Sequence, residues 1–195
     1  MTDRKYPAAC TIISRNYLSD ARVVAESYLK FHPGAHFYTL IVDGLPEGVD
    51  AGAGNHVVDL DELNLPHLSK LFFKCNPTEL CITLKPPLMR LLFDRYNEPE
   101  VIYFDSDILV MRRMDELIGA LAKANILLTP HLLAPIPLDG LLPNEEDILR
   151  AGSFNLGFVA VRRTQTARDF LDWWQERMRD GCFIEVSGGL LTDQR

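Results

Sequence analysis

Short unbroken apolar runs alternate along this chain with longer stretches in which apolar positions recur every three or four residues. Ala8 to Ser14 is a run of the first kind and predicts a short buried strand. A helix is expected after it, capped by Ser19, with Val24, Tyr28 and Phe31 on one face and Pro33-Gly34 as its stop. His36 to Val42 predicts a second strand ending at the turn signal Asp43-Gly44, and Asn55 to Leu60 a weaker third. A β-α-β opening of this kind normally means a parallel sheet.

Asn76-Pro77-Thr78 opens a helical stretch through Leu84, and Leu88, Leu91 and Leu92 resume its pattern after Lys85-Pro86-Pro87, where the helix must break or kink. A strand follows at Val101-Ile102-Tyr103-Phe104, a helix near Asp115 to Ala124, a strand at Asn125 to Leu128 and a loop beginning Thr129-Pro130-His131. Asn144-Glu145-Glu146-Asp147 starts a short helix ending at Gly152, and Phe154 to Val161 is another strand. The last helix, capped by Thr164, sets Ala167, Phe170, Leu171, Trp174 and Met178 on one stripe, which is a core face. The order predicts an α/β protein: an open, mostly parallel sheet flanked by helices, with ligands beyond the carboxyl ends of the strands.

Composition narrows the classes. The 195 residues, 47% hydrophobic and 24% charged, suit one domain, and no linker-like stretch divides them. No run reaches transmembrane length and the start is unlike a signal peptide, so a cytoplasmic protein is expected. Cys10, Cys75, Cys81 and Cys182 form no CxxC pair, which points to reduced thiols rather than a zinc site. A net charge of −7 without a basic cluster makes nucleic acid a poor partner. An acidic protein that holds a phosphorylated ligand usually needs a divalent cation between the two.

A place for that cation is visible where two acids interrupt an apolar run, at Asp105-Ser106-Asp107 between Phe104 and Ile108. A buried carboxylate without a partner costs several kcal/mol. If the strand continues through them, Asp105 and Asp107 point to one side and Ser106 away, a geometry suited to Mg²⁺ or Mn²⁺ with positions left for diphosphate oxygens. The rival account is a surface turn, because Asp-Ser-Asp is also good turn chemistry.

Tyr103-Phe104-Asp105-Ser106-Asp107-Ile108-Leu109-Val110 resembles the metal motif of nucleotide-sugar glycosyltransferases of the GT-A fold, most closely those similar to glycosyltransferase family 8. The similarity runs through several ordered motifs. Ser14-Arg15-Asn16-Tyr17 looks like the family's first nucleotide-binding loop, with Ser14 where many members have an aspartate. Lys85 is placed like the family's diphosphate-reaching basic residue, with Arg90 as the rival. Phe154-Asn155-Leu156-Gly157-Phe158 resembles the FNxG segment, whose asparagine lies near the donor sugar, and Asp193-Gln194 looks like the DQ pair at the sugar's reacting face. An asparagine at a strand edge is also commonly a local backbone cap.

The resemblance implies a transferase in which Asp105 and Asp107 hold Mn²⁺ or Mg²⁺ and Ser14, Asn16, Tyr17, Lys85, Asp105 and Ser106 contact the nucleotide-diphosphate sugar. Asn155, Asp193 and Gln194 would serve catalysis on that sugar. It further implies UDP-hexose as donor, retention of configuration, and an unidentified sugar, lipid or protein as acceptor. Family domains continue past the DQ pair and commonly supply a histidine as third metal ligand, so the chain is expected to be a donor-binding domain cut short at its C-terminal end. Two other classes stay open: a non-catalytic nucleotide-sugar binding fragment, and a phosphohydrolase of the haloacid dehalogenase type. The latter usually opens its domain with the DxD and carries Thr or Val where Leu109 stands here. His131, in its Thr-Pro-His loop, is a candidate for the acceptor side and otherwise a structural histidine.

Overall fold

Every residue of β1 (Ala8–Ile13) and β2 (Phe37–Ile41) is buried. Continuous apolar strands of this kind need cover on both faces, and the computed structural model, which describes residues 6–181, provides it. Side chains alternate as the two-residue period requires. Ala8, Cys10 and Ile12 join one core with Leu88, Leu92, Leu171 and Trp174, while Ala9 joins a second with Val24, Tyr28 and Phe104. The sheet lies between two helical layers, α1 (Leu18–Phe31) and α5 (Asp115–Leu121) on one side, α4 (Lys85–Asp94) and α7 (Gln165–Gly181) on the other.

The remaining strands are β3 (Asn55–Val58), β4 (Glu100–Phe104), β5 (Ile126–Pro130) and β6 (Phe154–Arg162), and the sheet order is β3-β2-β1-β4-β6-β5. β6 runs against both β4 and β5, while the other pairings are parallel. The carboxyl end of β4 therefore meets the amino end of β6. That junction positions the site.

Several local expectations change. Ser19 does not cap α1: a 3₁₀ turn at Arg15–Tyr17 leads straight into the helix with Tyr17 at the cap position. Thr129 and Pro130 belong to β5, pairing with Asn155 and Phe154 across a register shift after Leu128. Proline is tolerated there because β5 is an edge strand. The break at the double proline falls as expected: α3 (Pro77–Thr83) stops, Leu84 serves both helices as a cap, and α4 begins with Lys85. A further helix, α2 (Leu68–Lys74), carries no apolar stripe, since among its residues Leu71 alone is buried and Phe73 is 93% exposed. The capping box of Asn144 and Asp147 starts α6 (Glu145–Ala151).

Candidate active site

β4 hands the chain to the site through one more ladder bond, from the Asp105 N–H to the Gly157 carbonyl at 2.8 Å. The backbone then turns, and the Ile108 N–H returns to the Asp105 carbonyl at 3.3 Å. Asp105 and Asp107 thus stand on a turn rather than on a continued strand, and the two-residue strand period does not place them. All three residues line one cavity of about 260 Å³, together with Ser14, Tyr17 and Lys85.

Three groups fix the Asp105 carboxylate. The Tyr103 hydroxyl donates to Oδ1 at 2.8 Å, and the Lys85 ammonium stands 3.4 Å from the same oxygen. Burial first, and the Asp105 charge second, push the Tyr103 phenol well above its usual range, so it stays a donor. Gly157 closes the third side: a Cβ there would lie 2.9 Å from Asp105 Oδ2 and 2.9 Å from Asn155 Oδ1. Only a residue without a side chain lets the β6 backbone come this near.

Lys85, the first residue of α4, is buried. Its side chain is 3% exposed, donates to the Leu156 carbonyl at 3.0 Å and lies over the Tyr103 ring at 4.7 Å. A buried ammonium is retained where an opposite charge and hydrogen-bond acceptors meet it, and Asp105 and Leu156 do so here. Arg90, the rival, instead pairs with Asp94 and Asp172 along the seam between α4 and α7.

The nucleotide-loop candidates divide. Ser14 and Tyr17 line the cavity, whereas Asn16 takes the Ser14 hydroxyl on its Oδ1 and stands outside the lining. Asp43 holds this loop by accepting from the Arg15 N–H at 2.7 Å and from its guanidinium. The opposite wall is α3, through Pro77, Thr78, Cys81 and Ile82. Burial pushes the Cys81 thiol up to about 12, so that wall presents a neutral S–H.

Asn155 spends Oδ1 on the Gly157 N–H at 2.9 Å, the local backbone cap, and does not line the cavity. His131 ties its loop back through Nδ1 to the Gly152 carbonyl at 2.7 Å, which is a structural use. Asp193 and Gln194 lie outside the described residues. Among the described residues no group of three or more His, Cys, Asp or Glu converges as a metal site, so the candidate set is Asp105 and Asp107. The support from Tyr103, Gly157 and α3 leaves no local signal in the sequence, because it depends on which strands become neighbours.

No family model matches the chain. Two curated Bacillus subtilis (strain 168) proteins are similar to it: YfnD, 28% identical over 95% of this chain, and YfnF, 23% identical over 96%, both uncharacterized. The chain spans about three fifths of their lengths, 59% and 63%. Among solved structures, the galactosyltransferase LgtC in complex with donor and acceptor sugar analogues superposes with a TM-score of 0.59 over 88% of this chain and 63% of its own, at 16% identity. The bifunctional glycosyltransferase WbbM gives 0.52 over 92% and 35%, at 14% identity, and mouse xyloside xylosyltransferase 1 gives 0.51 over 90% and 76%, at 13%. The chain has the fold of these glycosyltransferases, the GT-A fold. Among the described residues no helix is long and apolar enough to cross a membrane.

Proposed function

We propose that this chain is the donor-binding part of a nucleotide-sugar glycosyltransferase similar to family 8, dependent on Mn²⁺ or Mg²⁺ and using UDP-hexose with retention. The reading is carried by one observation: two carboxylates on a turn at the carboxyl end of β4, one of them held by Tyr103 and Lys85, stand at a cavity in a fold shared with sugar transferases. Two carboxylates are a sufficient protein share for such an ion, because Mg²⁺-type sites take their other ligands from substrate phosphates and water. The ion would neutralise charge developing on the leaving diphosphate.

The chain's own residues have separable tasks in this reading. Whole-ligand pockets measure about 300–1,000 Å³, so a cavity of about 260 Å³ suits the nucleoside, with the diphosphate over Asp105 and Asp107. Tyr17, half exposed at the rim, offers a ring face to the base, and the Ser14 hydroxyl a polar contact. Lys85 and Tyr103 hold Asp105 at one orientation, which removes reorganisation from the chemical step. Asn155, Asp193 and Gln194 are assigned to the sugar side, with front-side attack by the acceptor hydroxyl.

Titration calorimetry with UDP-hexose, with and without Mn²⁺, followed by assay of free UDP, tests this reading. Binding that requires Mn²⁺ and then yields UDP is expected. No binding under either condition would end it, and Mn²⁺-dependent binding without UDP would favour a non-catalytic nucleotide-sugar binding protein.

A further inference from the structure

Among the residues that line the cavity at Asp105, Lys85 is the single basic one, and Asp105 and Asp107 are the acids. Burial keeps the Tyr103 phenol and the Cys81 thiol neutral, so the lining carries one net negative charge rather than two. The ammonium serves no need of its own helix. Lys85 opens α4, where the helix dipole disfavours a cation, and a side chain only 3% exposed bears a desolvation cost as well. Its place is set by the site instead: the Leu156 carbonyl at 3.0 Å, the Tyr103 ring at 4.7 Å and Asp105 Oδ1 at 3.4 Å. That oxygen also accepts from the Tyr103 hydroxyl, so a cation and a neutral donor meet on one carboxylate oxygen.

We propose that Lys85 is a resident counter-ion that keeps a lone divalent ion out of this cavity and admits it together with a nucleotide diphosphate. The inference rests on the glycosyltransferase reading and adds to it how entry of the ion is controlled. A fixed positive charge a few ångströms away repels a dication strongly in a partly buried site, so Asp105 and Asp107 attract the ion less than a bare pair of carboxylates does. A diphosphate reverses the balance. The same ammonium attracts its negative charges, and its oxygens complete the coordination that two carboxylates leave open. Lys85 does both through its charge, without leaving the Leu156 carbonyl. A purely structural ion pair makes the opposite forecast, because losing a group that orients Asp105 weakens binding of the ion and of the nucleotide alike.

Electron paramagnetic resonance, which counts free Mn²⁺, and calorimetry with UDP separate the two on the full chain. Lys85→Gln keeps a donor for the Leu156 carbonyl and removes the charge, and Lys85→Met repeats the test with an apolar stem. Both are expected to fold, because Asp105 is 44% exposed and regains water when its partner goes. Each is expected to bind Mn²⁺ without nucleotide at least about tenfold more tightly than wild type, and UDP at saturating Mn²⁺ at least about tenfold more weakly. Tyr103→Phe removes the neutral donor from the same oxygen and is expected not to tighten Mn²⁺ binding. Unchanged or weaker Mn²⁺ binding in the Lys85 variants would overturn the proposal, as would unchanged UDP binding, or a gain in Tyr103→Phe equal to theirs. So would a gain that persists when Asp107→Asn is added to Lys85→Gln, since the ion would then lie elsewhere. Failure of the wild type to bind UDP-hexose with Mn²⁺ ends the donor reading itself, whereas normal wild-type binding with unaltered Lys85 variants ends this inference alone.

Discussion

Gly157 gives up its side chain to Asp105. An added Cβ would press on the ends of two side chains, Asp105 Oδ2 and Asn155 Oδ1, so Asp105 would have to leave Tyr103 and Lys85, and Asn155 the Gly157 N–H. Gly157→Ala is therefore expected to displace the carboxylate and to lower stability by about 1–3 kcal/mol in urea denaturation. Mn²⁺-dependent affinity for UDP-hexose should fall about 10- to 100-fold in calorimetry, and an unchanged affinity would show that the orientation of Asp105 is unimportant. At this scale the sequence exposes the two acids, because they interrupt an apolar run, but not what holds them. Tyr103 looks like one more strand residue, and the nearness of Gly157 follows from an antiparallel register that local spacing does not contain. The strand period does not reach the motif, since β4 ends at Phe104.

The helices that shape the cavity are set by their ends. Asn76 caps α3 in a box with Glu79, accepting from its N–H at 2.9 Å while Glu79 accepts from the Asn76 N–H at 2.8 Å. Asn76→Ala is expected to cost about 1 kcal/mol and lower Tm by about 2–4 °C by differential scanning calorimetry. His32, at the end of α1, is buried: Nδ1–H donates to the Tyr28 carbonyl at 2.9 Å and Nε2 accepts from the Met114 N–H at 3.1 Å. The second bond requires the neutral ring. Burial, assisted by Arg113, lowers the His32 pKa from its usual 6.5 against the opposing effects of the Tyr28 carbonyl and Asp115. Below pH 6.5 the unfolded chain then binds a proton that the folded chain refuses, so this contribution to stability is present above pH 6.5 and is lost as pH falls toward the folded value. Urea denaturation at pH 7.5 and pH 5.5 should show a larger fall in the wild type than in His32→Gln, and equal falls would contradict the assignment. Caps and stops such as Asn76, Asn144 and the double proline are legible in sequence because their chemistry is local. The helix at Leu68–Lys74 is not, because it buries too little to leave a pattern.

Across the whole molecule, the sheet order β3-β2-β1-β4-β6-β5 brings Asp105 to Gly157 and the nucleotide-loop candidates to α3. The alternation of strands and helices is readable residue by residue, and it yields the α/β class. Neighbour order is not readable that way, because β6 inserts between two strands that precede it in the chain. The central claim is that Asp105 and Asp107 hold a divalent ion against a nucleotide diphosphate. The most direct measurement is UDP release from UDP-hexose by wild type and Asp107→Asn, each in Mn²⁺ and in EDTA. Wild-type release in Mn²⁺ should fall by at least about 100-fold both in EDTA and on substitution, with the circular dichroism spectrum unchanged. Equal turnover by the two proteins in Mn²⁺, or wild-type turnover indifferent to EDTA, would contradict it.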